Sequence, residues 1–398
     1  MRARHRIAFL TTEFASEGGR GGGLASYLAR MAQALRDAGH EPEVFVLSAQ
    51  MPGVLDHAGV RVERVGRADR HPAVRAARRL LLALGLARLL PTLHVVAGAL
   101  ALARALEARD AQRPFDAVQS ADYLATGLFV ARRARRPHLV RCSSASDLWA
   151  EVDGDRRLAR RLEAWLERVS SRRADVVYAP SRFIAAHLSR RLAREVRVLR
   201  PPAFLETKPA PQPPRALPPR FLLHLAKPSR VKGTHLLAAA LPEVWAQEPA
   251  LTLVYASSAR APELDCLDAG GCASASRVVA LGPLEKPELY ACLARAEALV
   301  QPSLADNLPN AVIESLLLGI PVVAFAGASL DELIEPGATG ELVPMGDVDA
   351  LAAALLRVWR GQAAARRGFT WGGALAAEMR PDCAVARLLS LAGLRAET

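Results

Sequence analysis

The sequence predicts an α/β protein of two Rossmann-like domains, and three observations predict it. The chain has 398 residues, more than one ordinary core organises and suited to two domains of about 200 residues each. Short apolar runs alternate with helical patterns from end to end, the signature of parallel sheets covered on both faces. Hydrophobic residues make up 51% and aromatics only 5%. The cores must therefore be built from Ala, Leu and Val, which favours helix-covered sheets over a sandwich rich in aromatics and Thr.

The first strand is read at Ile7–Leu10. It follows a basic start, Met1-Arg-Ala-Arg-His-Arg, but is too short for a signal-peptide core and meets Glu13 at once. A cytoplasmic protein is expected. The five cysteines, Cys142, Cys266, Cys272, Cys292 and Cys383, are odd in number and form no CxxC pair. That argues against a disulfide framework and a zinc ribbon, and for reduced thiols. Further strands of the first half are expected at Val44–Leu47, Ala117–Gln119, Leu139–Cys142, Val176–Ala179 and Val196–Leu199. In the second half they are expected at Phe221–Leu225, Leu251–Tyr255, Val278–Leu281, Ala298–Gln301 and Val322–Phe325.

Residues 64–113 break the alternation. Seven arginines, Arg64 to Arg88, precede or interrupt the apolar stretch from Leu80 to Leu102. A membrane span needs about 20 apolar residues with few interruptions, and Arg88, Pro91 and His94 interrupt this one. Two readings stay open: two core helices joined near Pro91, or an interfacial amphipathic helix with an Arg-rich side. Between the halves, residues 201–219 carry eight prolines, which continue neither a helix nor a central strand. The expected division is a domain over 1–200, a stiff linker over 201–219, a second domain over 220–372, and a tail over 373–398.

The net charge of +12 is unevenly spread: residues 1–200 hold 35 Arg, no Lys and 20 acids, a balance of +15. The remaining 17 basic residues and 20 acids leave the second half at −3. A basic half suits an anionic surface. Its arginines lack interleaved aromatics and no helix-turn-helix is present, so nucleic acid is not the expected partner. The anionic inner leaflet of a membrane is the candidate.

The most informative stretch runs from Gln301 to Val323, QPSLADNLPNAVIESLLLGIPVV. It reads as strand, polar turn, helix, Gly and strand, with Pro309 in the first turn of the helix and Gly319 at its C′ end. Asp306 and Asn307 then sit at a helix N-terminus beyond a strand's carboxyl end, where open α/β sheets bind ligands and free amides can hold oxygens. Asp306 and Glu314, eight residues apart, suit a polyhydroxylated ligand because each can accept several hydroxyl donors.

This stretch resembles the signature of the retaining glycosyltransferases of family 4, also called group 1, in the Asp-Asn-Leu-Pro-Asn form of residues 306–310. Further blocks follow in the family's order. Ala226-Lys-Pro-Ser-Arg-Val-Lys-Gly233 resembles the block whose two basic residues, here Lys227 and Lys232, clamp the donor diphosphate; their charge would offset that of the leaving group. Gly18-Gly-Arg-Gly-Gly-Gly23 resembles the N-terminal glycine loop, with Gly22 and Gly23 at the matching pair, where backbone can approach a phosphate. Ala174 to Arg182 resembles the strand before the linker, and Glu335 to Pro344 with Asp347 to Leu355 the closing loop and helix. There are three departures. Ser143 stands where many members have a sugar-contacting His, Ala328-Ser329 replaces a Gly-Gly, and Lys227 replaces an Arg, losing a bidentate fork but keeping the charge.

The resemblance implies the two-domain GT-B architecture with an interdomain cleft, a tail over 373–398 that crosses back to the N-terminal domain as a helix, and a nucleotide diphospho-sugar as co-substrate with no other cofactor. Glu314 would take ribose hydroxyls. Asp306, Asn307 and the amides near Leu308–Asn310 would take sugar hydroxyls, with Ser143 also at the sugar. Lys227, Lys232, Gly22 and Gly23 would hold the diphosphate. Transfer of a hexose-type sugar would retain configuration and need no metal, in keeping with the absence of a convincing Asp-x-Asp or His/Cys ligand cluster. The acceptor would be a saccharide or lipid-linked glycan in cell-envelope polysaccharide synthesis. The departures leave a non-catalytic nucleotide-sugar-binding subunit as the alternative.

Overall fold

The computed structural model describes residues 4–18, 22–66, 71–143, 146–154, 157–213, 215–269 and 277–394. The chain divides into two compact units, one of Met1–Pro202 with Glu378–Thr398 and one of Ala203–Ala377. Each is a sheet flanked by helices.

The first unit comprises β1 (Arg6–Thr11), α1 (Gly23–Asp37), β2 (Glu41–Ser48), β3 (Gly53–His57), β4 (Val60–Gly66), α2 (Pro72–Ala83) and α3 (Leu90–Gln112). It continues with β5 (Ala117–Ala121), β6 (His138–Arg141), α4 (Ser146–Asp153), α5 (Leu158–Arg173), β7 (Val176–Ala179), α6 (Arg182–Leu192) and β8 (Arg197–Val198). The strand order is β3-β4-β2-β1-β5-β6-β7-β8. Its central strands are buried on both sides; every residue of β1 and β5 is buried. Such strands need helices on both faces, and their continuous apolar runs made them legible.

The second unit holds β9 (Leu222–Leu225), α7 (Thr234–Gln247), β10 (Leu253–Ala256), α8 (Pro262–Ala269), β11 (Val278–Ala280), α9 (Lys286–Leu293) and β12 (Ala298–Gln301). It is completed by α10 (Asn310–Leu317), β13 (Val322–Phe325), β14 (Gly340–Val343) and α11 (Val348–Trp359). The sheet is wholly parallel, in the order β11-β10-β9-β12-β13-β14. The order reverses between β9 and β12, so the loops leaving those neighbouring strands open side by side at the carboxyl edge. Asp347 caps α11 by accepting from the Ala350 amide at 2.9 Å. After α12 (Gly373–Glu378), α13 (Pro381–Leu391) packs on α1 within the first unit, with Val385, Leu388 and Leu389 in its core.

Several expectations are corrected. Three strands, β3, β4 and β14, were not foreseen, and β3 runs antiparallel to β4 at the sheet edge. In β4 the buried Val60 and Val62 alternate with Arg61 and Glu63, so charges dilute the apolar run; β14 lies in the stretch read as the closing loop. Other strand ends shift by up to three residues. Pro91 lies in the first turn of α3 rather than at a joint, and the chain turns over residues 84–89 instead. Of the two helices there only α3 enters a core, through Val95, Ala99, Leu102 and Leu106; α2 buries no residue. Pro309 is the N-cap of α10, one residue before its first turn. Cys142, Cys266, Cys292 and Cys383 are free thiols, while Cys272 lies outside the described residues.

Candidate functional site

The densest set of functional groups stands at the carboxyl edge of the second unit's sheet. The loop after β9 carries Lys227 and Lys232 and ends at Gly233, the N-cap of α7. Gly233 has φ +66°, and a Cβ there would lie 1.8 Å from the Pro302 carbonyl oxygen. Only glycine permits this approach. It seats the Lys232 backbone against the turn that follows β12, and the Leu304 amide completes the contact by donating to the Val231 carbonyl at 2.8 Å.

The result is an ion pair: Lys232 Nζ lies 2.7 Å from Asp306 Oδ2. The same oxygen accepts from Ser303 Oγ at 2.9 Å and Gln301 Nε2 at 3.3 Å, and Asp306 Oδ1 accepts from the Asn307 amide at 3.0 Å. Asp306 is only 6% exposed. Burial of a carboxylate is tolerable here because an ammonium and three neutral donors replace its hydration. Lys227 is exposed and has no carboxylate within ion-pair distance among the described residues.

The turn is braced in a way the sequence did not disclose. Ser329 Oγ accepts from the Leu308 amide at 2.9 Å and donates to the Asp306 carbonyl at 3.2 Å. Ala328 and Ser329 have φ +50° and +67°, and Leu308 has φ +51°. Left-handed backbone explains why a Gly-Gly suits this place; here Ser329 returns a hydroxyl brace for the strain. The amides expected to be open at this turn are accordingly engaged: Asn307 donates to Asp306, Leu308 donates to Ser329, and Pro309 has none to offer. Asn310 is the first residue of α10.

Glu314, on the second turn of α10, is 1% exposed. Its Oε1 forms a short ion pair with Lys286 Nζ. That ammonium also stands 3.9 Å from Glu206 Oε1 and 5.6 Å from the Tyr290 ring centre. Lys286 opens α9 behind a capping box formed by Glu285 and Glu288. The sequence signal there is that of a helix start, with nothing to connect it to Glu314. Beneath the site, buried His224 bridges the Val300 carbonyl (2.9 Å) and Thr234 Oγ1 (3.2 Å), and burial above all pushes its pKa down to about 4. It is a neutral tie between β9, β12 and α7.

Gly22, Gly23 and Ser143 belong to the first unit. Gly22 is the N-cap of α1 and Gly23 its first residue; Gly19, Arg20 and Gly21 lie outside the described residues. The Gly22 amide donates to Glu13 Oε2 at 3.0 Å, and burial raises the Glu13 carboxyl's pKa while that bond pulls it back. Glu13 was not anticipated as the loop's partner. Ser143 gives both its amide (2.8 Å) and its hydroxyl (3.0 Å) to Asp122 Oδ1. Asp122 borders a small cavity with Cys142, Ser146, Asp147, Glu167 and Ser171. There Glu167 Oε1 accepts from Ser146 Oγ (3.0 Å) and the Leu124 amide (3.2 Å). Burial, with the Asp122 charge nearby, raises the Glu167 pKa well above the ordinary carboxyl range.

Comparison with known proteins accounts for both units. Residues 22–203 match a family described as "Glycosyl transferase 4-like domain", and residues 220–360 one described as "Glycosyl transferases group 1". The amylovoran biosynthesis glycosyltransferase AmsK of Erwinia amylovora is 37% identical over 93 residues, 22% of each chain. A glycogen synthase of Mycobacterium tuberculosis is 33% identical over 151 residues, 37% of this chain and 36% of its own. The chain thus spans between about a fifth and two fifths of the length of these curated relatives. Among solved structures, sucrose-phosphate synthase from Thermosynechococcus elongatus superposes with a TM-score of 0.73 at 21% identity, over 98% of each chain. Anabaena HepE in complex with UDP and glucose does so with a TM-score of 0.61 at 17% identity, also over 98% of each chain. At these identities the likeness is one of fold.

Proposed function

We propose that the chain, whose first unit matches a glycosyl transferase 4-like domain and whose second unit matches the group 1 glycosyl transferases, transfers a hexose from a nucleotide diphospho-sugar to a saccharide or lipid-linked acceptor, with retention of configuration. The observation that carries this reading is the pair of buried, lysine-bound carboxylates, Asp306 with Lys232 and Glu314 with Lys286, at the carboxyl edge where the β9 and β12 loops meet. A sugar nucleotide presents two hydroxyl-rich ends joined by a diphosphate. Two carboxylates for hydroxyls, each paired with an ammonium group that a diphosphate could take over, suit those groups.

In this reading the ribose hydroxyls take over the Glu314 carboxylate and free Lys286 toward the diphosphate. Asp306, fixed by Ser303, Gln301 and the Asn307 amide, orients the hexose. Lys227 and Lys232 offset the charge that grows on the leaving diphosphate. An acceptor hydroxyl attacks the anomeric carbon as the bond to the phosphate oxygen breaks, and its proton passes to that oxygen, so a nucleoside diphosphate leaves. No metal is required because ammonium groups supply the countercharge. The similarity to a glycosyltransferase of amylovoran biosynthesis supports a place in polysaccharide synthesis.

Thermal stabilisation against UDP-, GDP-, ADP- and dTDP-sugars tests the donor site, with Glu314→Gln as control. A ligand at about 100 times its Kd adds about 2.7 kcal/mol to a two-state folder. A selective shift absent from the control, with donor turnover, supports the transferase. A shift without turnover supports the non-catalytic alternative, and no shift with any donor rejects the site.

A further inference from the structure

We propose that α2, the 3-10 turn that follows it and the solvent face of α5 form a docking surface for an anionic phospholipid bilayer. The proposal goes beyond the donor site and does not rest on it.

Charge is the first observation. From His71 to Leu106 the chain carries five arginines, Arg75, Arg78, Arg79, Arg88 and Arg104, and no Asp or Glu. Elsewhere in the same unit arginines are commonly matched: Arg61 with Glu43 and Glu63, Arg64 with Glu17, Arg109 with Glu43, and Arg133 with Glu107 and Asp110. Among the described residues, Arg75, Arg78, Arg79 and Arg88 have no carboxylate within ion-pair distance. No described residue supplies their countercharge.

The second observation is apolar surface in the same place. Val74, Ala77 and Leu81 make the half-buried side of α2. Ala73, Leu80 and Leu84 recur at i, i+7 and i+11, a stripe along one exposed face. Leu80 and Leu84 are 59% and 61% exposed. Arg75, Arg78 and Arg79 lie about 100° or more round the helix from this stripe, on the exposed face that also carries Leu82, 48% exposed. On α5, Leu158, Arg161 and Trp165 are exposed at i, i+3 and i+7, with Trp165 53% exposed. The 3-10 turn Ala87–Leu89, which carries Arg88, packs on both α2 and α5, so the two exposures flank one short turn.

Exposed leucines and arginines sharing one short helix, with Leu82 set among the arginines and a tryptophan nearby, match the boundary of a bilayer: apolar groups enter the headgroup layer, arginines meet phosphates, and Trp prefers the interface. A polyanion in solution would satisfy the arginines but not the leucines. Adsorption is favoured over crossing. Ala87–Gln112 is long and apolar enough to cross a membrane by length and composition, but its Val95, Ala99, Leu102 and Leu106 are committed to the unit's core.

The test is flotation of the full chain with phosphatidylcholine vesicles, with and without phosphatidylglycerol, at low and moderate salt. Three proteins are compared with wild type: Arg75→Glu/Arg78→Glu/Arg79→Glu, Leu80→Ser/Leu84→Ser, and Trp165→Phe. α2 buries no residue, so melting temperatures should not move and misfolding does not confound the result. Binding should require phosphatidylglycerol. The charge variant should lose about a hundredfold in partitioning and the leucine variant about tenfold. Tryptophan emission should shift to the blue on binding, and Trp165→Phe should remove that shift. No binding to phosphatidylglycerol vesicles at low salt overturns the proposal. So does binding that ignores the leucine substitutions, or that RNA displaces as readily as added vesicles do, since either marks general polyanion adsorption. Donor-induced stabilisation should be unchanged in all three variants; its absence from the wild type would count against the transferase reading alone.

Discussion

In the second unit Asp306 and Glu314 are buried against lysines; in the first, Glu167 is buried against a serine hydroxyl and a backbone amide. Both arrangements replace lost hydration, but they differ in what can be exchanged. Lys232 and Lys286 are each 29% exposed, so a ligand hydroxyl can replace an ammonium on the carboxylate while the ammonium turns to another anion. Among the described residues Glu167 has no such mobile partner; burial and the Asp122 charge favour its protonated form, and its donors are a helix serine and a backbone amide. Under the proposed function the lysine-bound pair exchanges partners and the buried carboxyl keeps its own.

The sharpest way to break this comparison is to remove a lysine. Lys286→Met leaves the Glu314 carboxylate buried without its cation. We expect a loss of about 3 kcal/mol in urea unfolding, at the low end for a broken buried pair because Lys286 is partly exposed. Lys286→Met with Glu314→Met should recover most of it. A single variant as stable as wild type would show that the pair is not buried in the sense argued.

Acid should probe the two units alike. His138 in the first and His224 in the second have their pKa lowered to about 4, chiefly by burial. Below the unfolded value near 6.5 the unfolded chain takes up a proton that the native histidine refuses. Stability is therefore full above pH 6.5, falls as pH drops toward 4, and levels off below. Each histidine should cost about 1.4 kcal/mol by pH 5.5. Urea midpoints between pH 7 and 5 check this, and His224→Gln should reduce the slope.

The smallest effect sharpens the contrast from the other side. Glu167 holds its proton in the native state above the pH at which the unfolded chain gives it up. It therefore weakens the first unit as pH rises from about 4.5 toward its raised native pKa. Glu167→Gln keeps an acceptor for Ser146 and Leu124 and has no proton to lose. We expect it to match wild type near pH 4 and to be more stable at pH 8 by on the order of 1 kcal/mol. A destabilised variant at pH 8 would mean that the carboxyl is ionised in the native protein.

Much of the site was legible. Gln301 to Val323 announces strand, acidic turn and helix through local rules, and Gly233 and Gly319 mark positive φ where it occurs. Asp306 and Glu314 were singled out by residue type and spacing, and Lys232 by the resemblance of its block. Lys286 was not, because a Lys at the start of an ordinary capped helix carries no sign of the acid 28 residues on that it will meet. Ser329 was noted as a departure, but its hydroxyl brace across the turn was not foreseen. The β3–β4 hairpin escaped because Arg61 and Glu63 interrupt the apolar signal of Val60 and Val62.

By itself the sequence determined the two-unit α/β class, the buried central strands and the acidic turn at a helix N-terminus. These depend on periods of two and 3.6 residues and on a few glycines and prolines, all readable within a window of twenty residues. The tertiary structure alone decided which cation meets which carboxylate, which turn amides are spent inside the loop, and which arginines are left without partners. Those choices depend on strand order: β9 beside β12 brings residues 232 and 306 within 2.7 Å, a proximity that no local pattern encodes.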